Sequence, residues 1–138
     1  MNLDIVVLAA GKGTRMCSSK PKVLHKLAGK PLLQHVLDSS RKLSPDTVSI
    51  VYGFGGDQVR QQVTQPGILW VEQQEQKGTG HAVAQALPGL ANDSKVLVLY
   101  GDVPLISTET LTGLLDKVQS EHSIAVLTCT LDNPDGYG

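Results

Sequence analysis

The chain has 138 residues, 41% of them apolar and 18% charged, with 12 Lys and Arg against 13 Asp and Glu for a net charge of −1. That is enough sequence for one globular domain, and the charge balance excludes a general affinity for nucleic acid or an anionic membrane. No secretory leader pattern or membrane-length apolar run is visible, and Cys17 and Cys129 stand far apart, so a reduced, cytoplasmic chain is expected.

The first element is the apolar run "LDIVVLA" over 3–9, short and almost unbroken, as suits a strand buried on both faces of a parallel sheet. The loop "LAAGKGTRMCSSKPK" (8–22) follows. Pro31 is placed to open a helix carrying Leu32, Leu33, Val36, Leu37 and Ser40, ending near Leu43 and the breaker Pro45. "TVSIVY" (47–52) is the next strand, and Asp57 is placed to cap a helix with Val59 and Val63.

A weaker strand candidate, "ILWV" (68–71), precedes the polar stretch "EQQEQKGTGHA" (72–82), where Thr79 would cap a helix with Ala82, Val83, Ala86 and Leu87. "KVLVLY" (95–100) runs into "GDVP". Ser107 or Thr108 would start a helix with Leu111, Leu114, Leu115 and Val118, and "SIAVLTC" (123–129) is the last expected strand. The chain stops on the turn-rich "LDNPDGYG", and a piece of a longer protein is expected. Strand and helix alternate, so the fold class is α/β, an open and mainly parallel sheet whose ligands sit beyond the carboxyl ends of its strands.

Two stretches fall at those ends. The opening loop is not a P-loop, which needs G-x-x-x-x-G-K-[ST], because Lys12 precedes Gly13-Thr14. It is not a dinucleotide fingerprint either, because Met16 stands where the third glycine belongs. Ala9, Ala10, Gly11 and Gly13 nevertheless let backbone N–H groups approach an anion, and Lys12, Arg15, Lys20 and Lys22 add cations, a set suited to a triphosphate or pyrophosphate. A flexible turn with solvated lysines is the plainer alternative. Asp102, directly after a strand, is a natural ligand for Mg²⁺ or simply closes a turn. Gln73 and Gln76 carry amides matched to a base edge, and Gly78-Thr79-Gly80 allows close backbone approach. A polar loop with a capping threonine would look the same.

"LAAGKGTRM", "KPKVLHKLAGKPLL", "QQEQKGTGHA", "LYGDVPLI" and "DNPDGYG", in this order, resemble the sugar-phosphate nucleotidyltransferases, and among them the bacterial N-acetylglucosamine-1-phosphate uridyltransferases. The resemblance covers essentially all of residues 1–138, as the N-terminal part of the uridylyltransferase domain. It implies a Rossmann-like fold with helices on both faces. It also implies a Mg²⁺-dependent enzyme making UDP-N-acetylglucosamine and pyrophosphate from UTP and N-acetylglucosamine 1-phosphate.

On that resemblance Leu8, Ala9, Ala10, Gly11, Gln73, Gly78 and Thr79 hold the uridine nucleotide. Arg15 and Lys22 face its phosphates and act with Asp102 in catalysis. Tyr100, Gly101 and Asp102 line the ribose and metal side, with Asp102 a direct Mg²⁺ ligand, and Gly138 reaches the sugar pocket. The rest of the sugar site, a second metal ligand, a left-handed β-helix acetyltransferase using acetyl-CoA and a trimer are expected only of a longer parent serving cell-wall precursor synthesis. With an already anionic nucleophile, His25 and His81 are expected to be structural, His35 and His122 surface or packing residues, and Cys17 incidental. A related sugar-1-phosphate nucleotidyltransferase and a non-catalytic nucleotide-binding module are the alternatives.

Overall fold

In the computed structural model, residues 2–11, 17–133 and 135 are described. Strand β1 (Leu3–Ala9) leads through a 3-10 turn, Lys22–Leu24, into a small antiparallel hairpin of β2 (Lys26–Leu27) and β3 (Lys30–Pro31). Helix α1 (Leu32–Arg41), β4 (Thr47–Tyr52), α2 (Gly56–Gln62), β5 (Ile68–Glu72), α3 (Thr79–Ala86), β6 (Lys95–Tyr100) and α4 (Thr108–Leu115) complete the chain. The sheet order is β5-β4-β1-β6, and all three pairings are parallel. After moving outward from β1 to β5 the chain returns to lay β6 on the other side of β1. This reversal leaves a crevice beyond the carboxyl ends of β1 and β6.

The unbroken apolar runs explain the central strands. Ile5, Val7 and Ala9 face one layer with Leu33, Val36 and Leu37 of α1, Val59 of α2 and Leu111 of α4. Val6, Leu8 and Ala10 face the other layer with Val51 and with Ala82 and Ala86 of α3. Helices therefore cover both faces, as expected. Strand β6 departs from continuous burial. Leu97 and Leu99 are buried, while Val96, Val98 and Tyr100 are open, because α3 packs over β1, β4 and β5.

Helix starts agree with expectation or differ from it by one or two positions. Pro31 is the N-cap of α1, with Leu32 the first helical residue. Gly55, at φ 67°, caps α2, and Asp57 lies in its first turn. A Cβ at Gly55 would also stand 2.4 Å from Pro21 Cγ, so glycine is needed there twice over. Gly78 caps α3, with Thr79 next. Ser107 caps α4, its Oγ accepting from Thr110 N–H at 3.1 Å.

The weak candidate 68–71 is a strand, but 123–129 is not. That segment has no ladder partner among the described residues, and Ile124 is 91% and Val126 73% exposed. An apolar run becomes a strand only where a neighbouring edge takes up its backbone groups. Among the described residues, no helix is long and apolar enough to cross a membrane.

Candidate functional site

Small residues at the end of β1 permit a site in the crevice. Gly101 N–H donates to Leu8 O at 2.9 Å, and a Cβ on Gly101 would stand 3.0 Å from that oxygen and 3.2 Å from both Leu33 and Val23. Glycine thus lets the end of β6 close against the end of β1. At Gly53 a Cβ would meet Gln73 O at 3.2 Å and Ala10 at 3.3 Å, so the loop after β4 is held as tightly.

Between these seams lies a cavity of about 520 Å³. Leu8, Ala9, Ala10 and Gly11 form its floor, Gln73, Gly78 and Thr79 one wall, and Lys22, Tyr100 and Asp102 the opposite side. Of the expected site residues, eleven, Gln76 among them, therefore line one cavity, and Gly101 braces it. Arg15, Lys12 and Gly138 lie outside the described residues.

The cavity exists because α3 is made of small residues and stops short of β6. Ala82 is on its wall, and Tyr100, half exposed, is the open-face residue at the end of β6. Gly78 and Thr79 bring the N-terminus of α3 to the same wall, where unpaired backbone N–H groups favour an anion or carbonyl oxygen.

Polar contacts fix the rim. The Lys22 ammonium is 2.8 Å from an Asp102 oxygen, with both side chains partly open to water. Gln76 donates its amide to Ala10 O, tying the glutamine-rich loop to the start of the opening loop, a role the base-edge expectation for Gln76 did not include. Gln73 is buried, and its Nε2 lies 3.2 Å from Gly78 O and 2.9 Å from His81 Nδ1. Lys77 pairs with Glu75 in the same loop.

Three features were not legible beforehand. The Lys22–Asp102 pair spans eighty positions in sequence, so only the β1–β6 closure reveals it. Val23 and Ala82 join the lining as apolar wall residues. His81, read as structural, touches Gln73. Its position in the first turn of α3, after the capping glycine, was the available signal. His25 Nε2 is buried without a partner among the described residues, and His35 Nε2 lies 2.8 Å from Leu27 O, both away from the cavity lining. Cys17 and Cys129 are exposed free thiols.

Two carboxylates elsewhere are perturbed. Burial of Asp4 works to raise its pKa, but hydrogen bonds from Ser94, Ala91 and Thr47 outweigh it and hold the group below the usual carboxylate value. In Asp38 burial is likewise outweighed, by bonds from Lys30 and Gln34. Both serve the scaffold.

Comparison with known proteins now decides the family. The profile described as MobA-like NTP transferase domain matches residues 5–134. The chain belongs to the MobA-like NTP transferase family. Within it, the chain is similar to the bifunctional protein GlmU of Methylobacillus flagellatus, 57% identical over 136 residues, which are 99% of this chain and 29% of that protein. It thus spans under a third of that relative's length.

Two solved structures share the NTP transferase fold. A nucleotidyl transferase from Methanothermobacter thermautotroptrophicus superposes with a TM-score of 0.73 at 21% identity, over 83% of this chain and 57% of that one. Rv0371C from Mycobacterium tuberculosis H37Rv, complexed with manganese, gives 0.71 at 24% identity, over 84% of this chain and 59% of that one.

Proposed function

We propose that this chain is the nucleotide-binding part of a uridylyltransferase that joins UTP and N-acetylglucosamine 1-phosphate into UDP-N-acetylglucosamine, releasing pyrophosphate. The observation that carries the reading is the convergence of Leu8–Gly11, Gln73, Gly78, Thr79, Lys22, Tyr100 and Asp102 on one cavity at the switch point of the sheet. The substrate pair is the one implied by the resemblance of "QQEQKGTGHA" and "LYGDVPLI" to the N-acetylglucosamine-1-phosphate uridyltransferases.

In this reading a sugar-phosphate oxygen attacks the α-phosphorus of UTP. A new P–O bond forms while the bond to the bridging oxygen of the β-phosphate breaks, and pyrophosphate leaves in line. The nucleophile is already anionic, so the protein's work is positioning and charge neutralisation. Gln73 and the backbone at Gly78 hold the base, Leu8–Gly11 support the nucleoside, and Lys22 with Arg15 takes the phosphate charge. Tyr100 and Gly101 bound the ribose side, and Gly138 is assigned to the sugar side.

Asp102 would hold Mg²⁺. Among the described residues no group of three or more His, Cys, Asp or Glu could hold a metal by itself. One carboxylate completed by substrate phosphates and water suits Mg²⁺, which binds that way in phosphoryl-transfer sites. The bound ion would supply neutralisation of the charge that develops on the phosphates. Acetyl transfer to glucosamine 1-phosphate and a trimeric assembly are proposed only for a longer protein of the GlmU kind, in which residues 1–138 begin the uridylyltransferase domain.

The test is a protein-observed NMR titration with UDP-N-acetylglucosamine and Mg²⁺, with NADH as control. Selective shifts at Gly11, Gly78, Thr79 and Asp102 are expected. A folded protein whose spectrum ignores the uridine ligand, or answers NADH equally, overturns the reading. In the longer enzyme, Arg15→Ala, Lys22→Ala and Asp102→Ala are each expected to lower turnover roughly 10²–10³-fold.

A further inference from the structure

Gln73 is the one deeply buried polar side chain on the described cavity wall, at 4% exposure, so the direction of its amide decides what that wall offers. Its two ends differ completely, since Nε2 carries two donors and Oε1 only accepts. Gly78 O, 3.2 Å from one end, can only accept, and that end is therefore the nitrogen. The same nitrogen lies 2.9 Å from His81 Nδ1. Nδ1 must then accept as well, which places the imidazole proton on Nε2.

His81 Nε2 in turn lies 3.3 Å from Gln85 Nε2; with the proton on His81 Nε2 this exposed amide is turned to offer its oxygen there. With one N–H given to Gly78 and the other to His81, Gln73 has no donor left for a ligand. Its Oε1 has no donor among the described residues, and it is not one of the side-chain atoms sealed away without a partner.

We infer that His81 is a positioning residue that sets base choice. By accepting from Gln73 it locks the amide with its oxygen toward the cavity, so the wall takes uracil, whose N3 carries a hydrogen, over cytosine, whose N3 carries a lone pair. This rests on the uridine-nucleotide reading above and adds to it a reason for the choice of pyrimidine. A site built to accept from an N–H rejects an isosteric base lacking it, because two acceptors then face each other in a buried place. If His81 cannot accept, only the bond to Gly78 O still holds the amide, so turning it to present a donor to cytosine costs one hydrogen bond instead of two.

The experiment measures dissociation constants of UDP and CDP by calorimetry, with Mg²⁺, for the natural protein, His81→Leu and His81→Asn. Asparagine places Oδ1 where histidine has Nδ1 and keeps the acceptor, whereas leucine keeps bulk without it. The natural protein and His81→Asn are expected to prefer UDP, and in His81→Leu the UDP:CDP affinity ratio is expected to fall roughly tenfold, the scale of one buried hydrogen bond.

If His81→Leu keeps the ratio, including by weakening both ligands alike, His81 only packs and the inference is overturned. If His81→Asn loses the ratio together with His81→Leu, the hydrogen bond assigned to Nδ1 is overturned. If the natural protein itself does not prefer UDP, the uridine reading fails, and the inference fails with it.

Discussion

Strands β1 and β6 lie side by side, with residue pairs in register from Leu3–Lys95 to Leu8–Tyr100, yet they live in different surroundings. Every residue of β1 from Asp4 to Ala9 is buried, whereas β6 alternates buried Leu97 and Leu99 with open Val96, Val98 and Tyr100. The difference comes from α3, a helix of eight residues that covers one strand and stops before the next. Its small residues bring it close to β1, and Tyr100, at the end of the uncovered strip of β6, lines the cavity. A binding site at this end is therefore the place where two-sided packing gives out.

The largest test of that contrast is a matched pair of substitutions. Val6 and Val98 are cross-strand partners on the same face, the first fully buried and the second 39% exposed. Val6→Ala removes two buried carbon groups and leaves a cavity, at a cost of about 2–3 kcal/mol. Val98→Ala is expected to cost about 1 kcal/mol or less. Denaturant titration with unchanged slopes reads both. Equal losses would mean that the two strands share one environment, contrary to the role given to α3.

A somewhat smaller effect is expected where the two strands close on each other. Gly101→Ala puts a methyl group 3.0 Å from Leu8 O, a backbone atom that cannot turn aside. The expected cost is about 1–3 kcal/mol of stability. It should be accompanied by weaker binding of uridine nucleotide, since both ends of the cavity floor would shift. A variant that keeps full stability would show that the β1–β6 closure is looser than these distances.

Much of this arrangement is legible in the sequence, and the parts that are not share a cause. "LDIVVLA" and "TVSIVY" become β1 and β4 because unbroken apolar runs of that length suit little except a doubly covered strand. "SIAVLTC" has the same character and pairs with no strand among the described residues, since composition reports what a segment could bury and says nothing of whether an edge awaits it. Where glycine replaces the expected side-chain cap, the cap moves earlier, from Asp57 to Gly55 and from Thr79 to Gly78.

Most of the expected site residues meet at the cavity, because small residues after a parallel strand and an acid after another mark the carboxyl end of a sheet. The contacts between them are harder to foresee. Lys22 with Asp102 and Gln76 with Ala10 depend on loops brought together by the sheet order. His81 depends on which way a buried amide turns. The two loop contacts leave no local pattern, and for His81 only its place in the first turn of α3 does.

The smallest effect sharpens the comparison at its other end, where β1 pins the approach to β6. Asp4 is buried in β1, and one of its oxygens accepts from Ala91 N–H at 2.9 Å and Ser94 Oγ at 2.6 Å, the turn that leads into Lys95. Asp4→Asn can keep an acceptor there and loses only the charge, so a loss of about 1 kcal/mol near neutral pH is expected. The pH dependence carries a definite sign. Because the folded carboxyl titrates below its unfolded value of 3.8, its contribution is complete above that pH and is lost as pH falls through the lower folded value. The stability gap between the natural protein and Asp4→Asn should therefore be constant near neutrality and shrink on acidification below about pH 3.8. A gap that widens in acid would place the folded pKa above the unfolded one, and burial rather than the Ser94 and Ala91 bonds would then govern the group.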